Sequence, residues 1–360
     1  MSTSTQLAIS SAEQCSPWIP PELISLILVD LWEALEPTPQ DRSALLKNIA
    51  LVNRTWLALI ARIASHDVHI SNVRNGNAFL RLLPERSPLV RYGTVDLFSM
   101  EAHQVAKQLC RSLTFHLDRS VQPPLSPELE HIRGCDRAVS LVLSTVRTIY
   151  SLPNLRRISL RYTDWGYNYI FRQIQWQWGH SFPEQVTHLS LDYSFTATAA
   201  ARAELRAFDL SVAMRWIYST SFTGRRAVLA VLPNVQHLSL SGVPTPFVAA
   251  MLHVCPNVET LEITNPTQLA ELAPLPPAVR TLVLRHPGVT VPSEKTIASW
   301  TLSTALEGGL FPEGEGTKPR IVVRSGTPDP ESFIELRRSC KRFDVDLVHE
   351  RDDDARSPSC

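Results

Sequence analysis

Neither sign of charge is in excess: 35 basic and 35 acidic residues give this 360-residue chain a formal net charge of zero. That excludes a global electrostatic pull toward nucleic acid or an anionic membrane. Long apolar runs are missing as well, and none approaches the length a membrane span needs. The opening residues Met1-Ser2-Thr3-Ser4-Thr5-Gln6 hold neither a charged n-region nor a long apolar h-region, so no secretory signal is expected. The six cysteines, at 15, 110, 135, 255, 340 and 360, include no close pair. That pattern excludes a disulfide framework or a zinc site and fits free thiols in the cytoplasm or nucleus. Catalytic signatures are absent too: there is no Gly-x-Ser-x-Gly, Gly-x-Gly-x-x-Gly, His-Glu-x-x-His or Cys-x-x-Cys. Gly316-Thr317-Lys318 runs in the wrong order for a phosphate loop, and His66-x-x-His69 has no third ligand nearby. A non-enzymatic chain without cofactor or metal is the expectation.

What the chain has in quantity is apolar residues, 44% of the total, enough for a real core. Its length predicts two domains or one elongated array. Residues 1–15 and 349–360 are expected to be disordered tails. From residue 19 a helix is predicted. Pro20 and Pro21 suit its first turn, and Leu23, Ile24, Ile27, Leu28, Leu31, Trp32 and Leu35 recur at helical spacing. Glu36-Pro37-Thr38-Pro39 should end it. A second helix is predicted over 41–63, with an apolar face through Leu45, Ile49, Val52, Trp56, Ile60 and Ile63. The pair carries more apolar surface than a hairpin can hide.

A second pattern is a repeated phrase, usually led by Pro-Asn, in which apolar residues occupy positions one, four and six. It occurs at Leu155-Arg156-Arg157-Ile158-Ser159-Leu160 and at Val186-Thr187-His188-Leu189-Ser190-Leu191. It recurs from Val235, Val258 and Val279, and a weaker copy at 205–210, whose Ala/Arg-rich lead-in reads equally well as helix, would fill the long gap. A spacing of 23 and then 21 residues between the last three copies fits short strands alternating with returns that must stack to share a core. Strands are also expected near 89–98, 110–115, 320–323 and 343–348, the last two as a closing cap with a helix over 330–342. Alternation along each strand sends the remaining side chains to one face. These include Arg157, Arg161, His188, Asp192, His237, Ser239, Thr260, Glu262 and Arg285, candidates for target binding. His188 and His237 hold equivalent places and should form a surface ladder. The aromatic stretch 162–182 reads either as core or as an interface.

Pro20-Pro21-Glu22-Leu23-Ile24 and, later, Leu51-Val52-Asn53-Arg54-Thr55-Trp56 resemble the F-box, and the repeated phrase resembles the strand of a divergent leucine-rich repeat. The resemblance implies an α/β fold: a helical F-box-like module over 16–70, then a leucine-rich-repeat solenoid over 71–348. It further implies a substrate adaptor of a Skp–cullin–F-box ubiquitin ligase, partnered by the Skp-type adaptor, the cullin subunits and an unknown target protein. Pro20, Pro21, Leu23, Ile24, Ile27, Leu28, Leu31, Val52, Asn53 and Trp56 would then form the adaptor-binding set. The alternative is a repeat scaffold whose F-box-like helices are only a cap.

Overall fold

The computed structural model describes residues 19–34, 39–81, 83, 107–119, 134–148, 152–174, 178, 182–196, 203–217, 232–286, 300–312, 318–325 and 333–351. The chain divides into two compact units, Met1–Ala64 and Ser65–Cys360.

The first unit is built from helices α1 (Pro21–Ala34), α2 (Pro39–Ala50) and α3 (Arg54–His66). Where one helix was predicted over 41–63 there are two. Asn53 accounts for the break, since its Oδ1 accepts the backbone N–H of Trp56 at 3.0 Å and caps α3. Ile24, Leu28 and Trp32 from α1 meet Ile49 and Ile60 in a small core of their own. The stop predicted at 36–38 lies outside the described residues.

In the second unit nine strands form one sheet: β1 (Asp67–Ile70), β2 (Ser112–Asp118), β3 (Arg157–Thr163), β4 (His188–Ser194), β5 (His237–Ser241), β6 (Thr260–Thr264), β7 (Thr281–His286), β8 (Arg320–Ser325) and β9 (Asp346–Arg351). All neighbours are parallel and the spatial order is the chain order. Helices α4 (Val73–Arg81), α5 (Gly134–Thr148), α6 (Tyr169–Gln173), α7 (Leu210–Ile217), α8 (Thr245–Val254), α9 (Leu302–Glu307) and α10 (Ile334–Arg342) run between the strands. Ile158, Leu160, Leu189, Leu191, Leu238, Leu240, Leu261, Ile263, Leu282, Leu284, Ile321 and Val323 all face one side and are buried. That is the core, and the phrase predicted each of these residues up to β7.

The Pro-Asn lead-in has a structural cause. The Asn154 side-chain amide donates to the Gln108 carbonyl at 2.7 Å, Asn234 to Glu184 at 2.8 Å and Asn257 to Pro233 at 2.9 Å. Each Asn thereby ties its strand entry to the turn before the preceding strand. Gly242 closes β5 at φ +67, where an added Cβ would stand 2.1 Å from the Tyr193 carbonyl oxygen. Only glycine fits there. The aromatic stretch is core: Tyr162, Trp165, Tyr167, Phe171, Trp178 and Phe182 are buried. The Tyr162 and Tyr193 rings stack at 4.6 Å, and Tyr167 donates to the Gly242 carbonyl at 2.6 Å.

These findings correct the predicted fold class. A separate F-box-like module followed by a leucine-rich-repeat array and a cap is not what is found. The sheet already begins at Asp67, inside the stretch assigned to the module, and runs unbroken through the strands assigned to the cap. Parallel strands in consecutive order with flanking helices resemble the core of α/β barrels, with β1 and β9 here at the two ends of the order. Of the two readings left open for 205–210, the strand is absent and helix flanks the segment on both sides. Asp209 instead caps α7, its Oδ1 accepting the Ser211 N–H at 2.8 Å and the Val212 N–H at 3.3 Å. The tail expected over 349–360 does not begin at 349, since β9 runs to Arg351, and the segments 1–15, 89–98 and 352–360 lie outside the described residues.

Candidate functional site

The sheet side opposite the core is polar, and the register aligns its residues in rows. One row reads Asp67, Ser112, Arg157, His188, His237, Thr260, Thr281 and Arg320. The next reads His69, Thr114, Ser159, Ser190, Ser239, Glu262, Val283 and Val322, and a third runs His116, Arg161, Asp192, Ser241, Thr264, Arg285 and Arg324. Every sequence-predicted target-binding residue stands on this face, brought together by parallel pairing.

Over β3–β5 the middle row of the face is Ser159, Ser190 and Ser239, at roughly 4.8 Å from strand to strand. On one side His188 and His237 stack with ring centroids 4.0 Å apart, 11° from coplanar. Burial, the neighbouring His237 and the Arg157 guanidinium push the His188 pKa down to about 4. His237 is lowered as well, by burial first and by Arg157. The ladder is therefore uncharged at neutral pH, and the cations here are arginines. On the other side stand Arg161 and Asp192, register partners on adjacent strands. They form no ion pair, and Nη1 of Arg161 is shielded from solvent without a hydrogen-bond partner. Arg157 likewise has no ion pair among the described residues.

Toward β1 the face carries a chain of hydrogen bonds that the sequence reading missed. Nε2 of His69 meets Asp67 Oδ2 at 2.7 Å, Nδ1 of His69 lies 2.9 Å from Nε2 of His116, and Thr114 donates to Asp67 Oδ1 at 3.3 Å. The His69 nitrogens serve two different partners, so the three side chains do not converge on one point. Among the described residues no group of three or more His, Cys, Asp or Glu side chains is placed to hold a metal. The signal was present as Asp67-Val68-His69, an alternation hidden by assigning this stretch to the end of a helical module.

Toward β9 the charges close on one another. Glu262 reaches Arg285 at 3.9 Å and Arg324 at 3.4 Å, Arg324 donates from Nε to Glu350 at 3.0 Å, and Arg320 stands 3.8 Å from Glu350. Glu262 and Arg285 were expected as free contact residues. They belong to this network because β8 and β9, read as a cap, extend the same face.

In the helical unit the expected adaptor-binding residues separate into two groups. Ile24 and Leu28 are core, with Trp56 packed against them, and Asn53 is the α3 cap. Leu23, Ile27, Leu31 and Val52 are exposed, with Leu26 and Leu51 beside them in the chain, while Pro20 and Pro21 are half-buried. Among the described residues, seven of the nine exposed large apolar side chains lie in this unit. Leu51 is 85% exposed at the α2–α3 turn, so the surplus apolar surface inferred from the sequence is present here.

No protein-family model matches the chain, and no curated protein and no solved structure matches it. The F-box and leucine-rich-repeat resemblance is therefore withdrawn, and with it the ubiquitin-ligase adaptor and the repeat scaffold. Both required a bipartite architecture, whereas the sheet is one continuous parallel structure. The expectation of a non-enzymatic chain is corrected on the same ground, because helix-flanked parallel sheets are a framework on which many enzymes are built. Among the described residues no helix is long and apolar enough to cross a membrane.

Proposed function

We propose that the polar sheet face over β3–β5 is the ligand-binding surface of this protein, and that it recognises an acidic group, carboxylate or phosphate, through Arg157 and Arg161. One observation carries the reading. Among the described residues these two arginines have no acidic partner, although Asp192 is the register partner of Arg161, whereas Arg285, Arg320 and Arg324 on the same face are each ion-paired. An unpaired guanidinium held by a rigid strand is preorganised for a planar oxyanion. Asp192 and the His188–His237 pair are available for a donor on the same ligand. The test is a set of acidic, neutral and basic peptides plus inorganic phosphate, each titrated against the full chain. Acid-dependent binding should fall about tenfold or more in Arg161→Met and be unchanged in Thr281→Val. Equal binding of acidic and neutral probes, or indifference to Arg161→Met, would count against the site. An interior compartment, cytoplasm or nucleus, suits the buried free thiols of Cys110, Cys255 and Cys340.

A second reading rests on the helical unit. Its uncovered apolar side chains Leu23, Leu26, Ile27, Leu31, Leu51 and Val52 are suited to docking a partner polypeptide. The double variant Leu26→Glu/Leu31→Glu leaves the small core intact and should abolish co-purification of any stoichiometric partner. The Skp-type adaptor expected from the sequence is one partner to place in that comparison. Retention of the partner by a folded double variant argues against this face.

A further inference from the structure

At the N-terminal ends of β7–β9, away from the polar face, a cavity of about 490 Å³ opens between the strand entries and the ends of α9 and α10. Its volume falls in the usual range for small-ligand sites, about 300–1,000 Å³. Its lining is mixed: Leu306, Phe311, Phe343 and Val345 with Val279 and three prolines give the apolar part, and charged side chains give the rest. Two ion pairs stand at its edge. Lys318 meets Asp344 at 2.8 Å and Arg342 meets Glu307 at 3.6 Å, with the Arg342 guanidinium 5.3 Å from the Phe343 ring centroid. These four charges neutralise one another.

Arg280, half-buried in the lining, makes no side-chain hydrogen bond and no ion pair among the described residues. The residue before β7 is thus a half-buried cation in a recess whose other charges are balanced and whose lining is part polar, part aromatic and aliphatic. A cation partly removed from water favours an anionic partner and disfavours a neutral one, and aromatic walls favour a flat or chain-like apolar body. We infer that this cavity binds a small apolar carboxylic acid, the hydrocarbon body against Phe311 and Phe343 and the carboxylate on Arg280. This site is independent of the surface over β3–β5 and uses none of its side chains.

The test compares 3-phenylpropionate with its neutral amide, titrated into the full chain and followed by heteronuclear NMR. The acid is expected to bind with a Kd of about 1 mM or below, as suits a ligand of this size, and about tenfold more tightly than the amide. Arg280→Met should erase the preference for the acid, and Arg280→Lys, which keeps the charge, should retain part of it. Binding is read at the resonances of Arg280, Phe343 and Val345, so that carboxylate held over β3–β5 does not enter, and there Phe311→Ala should weaken acid and amide alike. Equal binding of acid and amide, absence of binding by either, or a preference that survives Arg280→Met in the folded protein would each overturn the assignment.

Discussion

The two halves of the polar sheet face are built on the same backbone and the same core, yet they treat charge in opposite ways. From β6 to β9, Arg285, Glu262, Arg324, Glu350 and Arg320 form a continuous chain of ion pairs. Over β3–β5, Arg157, Arg161 and Asp192 make no ion pair among the described residues, beside a row of serines. Beneath both halves lies the same layer of Leu, Ile and Val. Folding therefore makes no demand for the difference. The closed half behaves as structure, while the open half keeps its charges for something outside the chain.

The largest effects should fail to distinguish the halves, which sharpens the contrast. Leu240→Ala under β5 and Leu284→Ala under β7 each remove a fully buried side chain. Each should cost about 2–5 kcal/mol in chemical denaturation, by lost transfer energy and an incompletely collapsed cavity. A cost confined to one half would mean that the shared core is not the unit of stability.

The polar faces should then separate. Glu262→Gln removes the carboxylate shared by Arg285 and Arg324 and should cost about 1 kcal/mol, given its partial exposure. Asp192→Asn should stay within about 0.5 kcal/mol. A double-mutant cycle of Glu262 with Arg324 should show coupling, and the matching cycle of Asp192 with Arg161 none. Equal coupling in the two cycles would erase the comparison.

How much of this was legible depended on whether a residue's role is local. Period-two alternation after Pro-Asn placed β3 to β7 and their buried leucines, because the strand phrase is short and each copy repeats it. It also placed Arg157, Arg161, His188 and Asp192 on one face. What could not be read is which charges would meet. Glu262 and Arg324 are 62 residues apart in the chain and become neighbours only through two intervening strand pairings. Asp67 and His69 were obscured by the helical pattern immediately before them, as α3 passes directly into β1. The phrase over 205–210 failed because Asp209 satisfies a helix N-terminus, a competing use for the same residue type.

A smaller effect concerns the histidine ladder. The folded pKa of His188 is depressed to about 4, chiefly by burial, against about 6.5 in an unfolded chain. Between those values the unfolded chain binds more protons, so stability is fully present above pH 6.5 and is lost as the pH falls toward 4. The loss should be about 1 kcal/mol, since the ring is only partly shielded. Arg157→Gln, by removing one cause of the depression, should flatten that slope, whereas Arg320→Gln at the opposite end of the row should not. Thermal melts from pH 7.5 to 4.5 measure it, and a slope of the reverse sign would mean that protonated His188 gains a partner in the fold.

The smallest expected change is the most informative. Arg161→Met removes a guanidinium with one nitrogen shielded from water and unpaired, and puts a flexible apolar side chain in its place. Since no hydrogen bond or ion pair among the described residues is lost, the protein should be unaltered in stability within about 0.5 kcal/mol, or slightly more stable. Arg324→Met strands Glu262 and Glu350 together and should cost about 1–2 kcal/mol. The asymmetry follows from a general rule: a residue kept for binding gives nothing to the free protein and often weakens it. If Arg161→Met destabilised the chain as much as Arg324→Met, Arg161 would already be serving the fold, and its charge would not be available to a ligand.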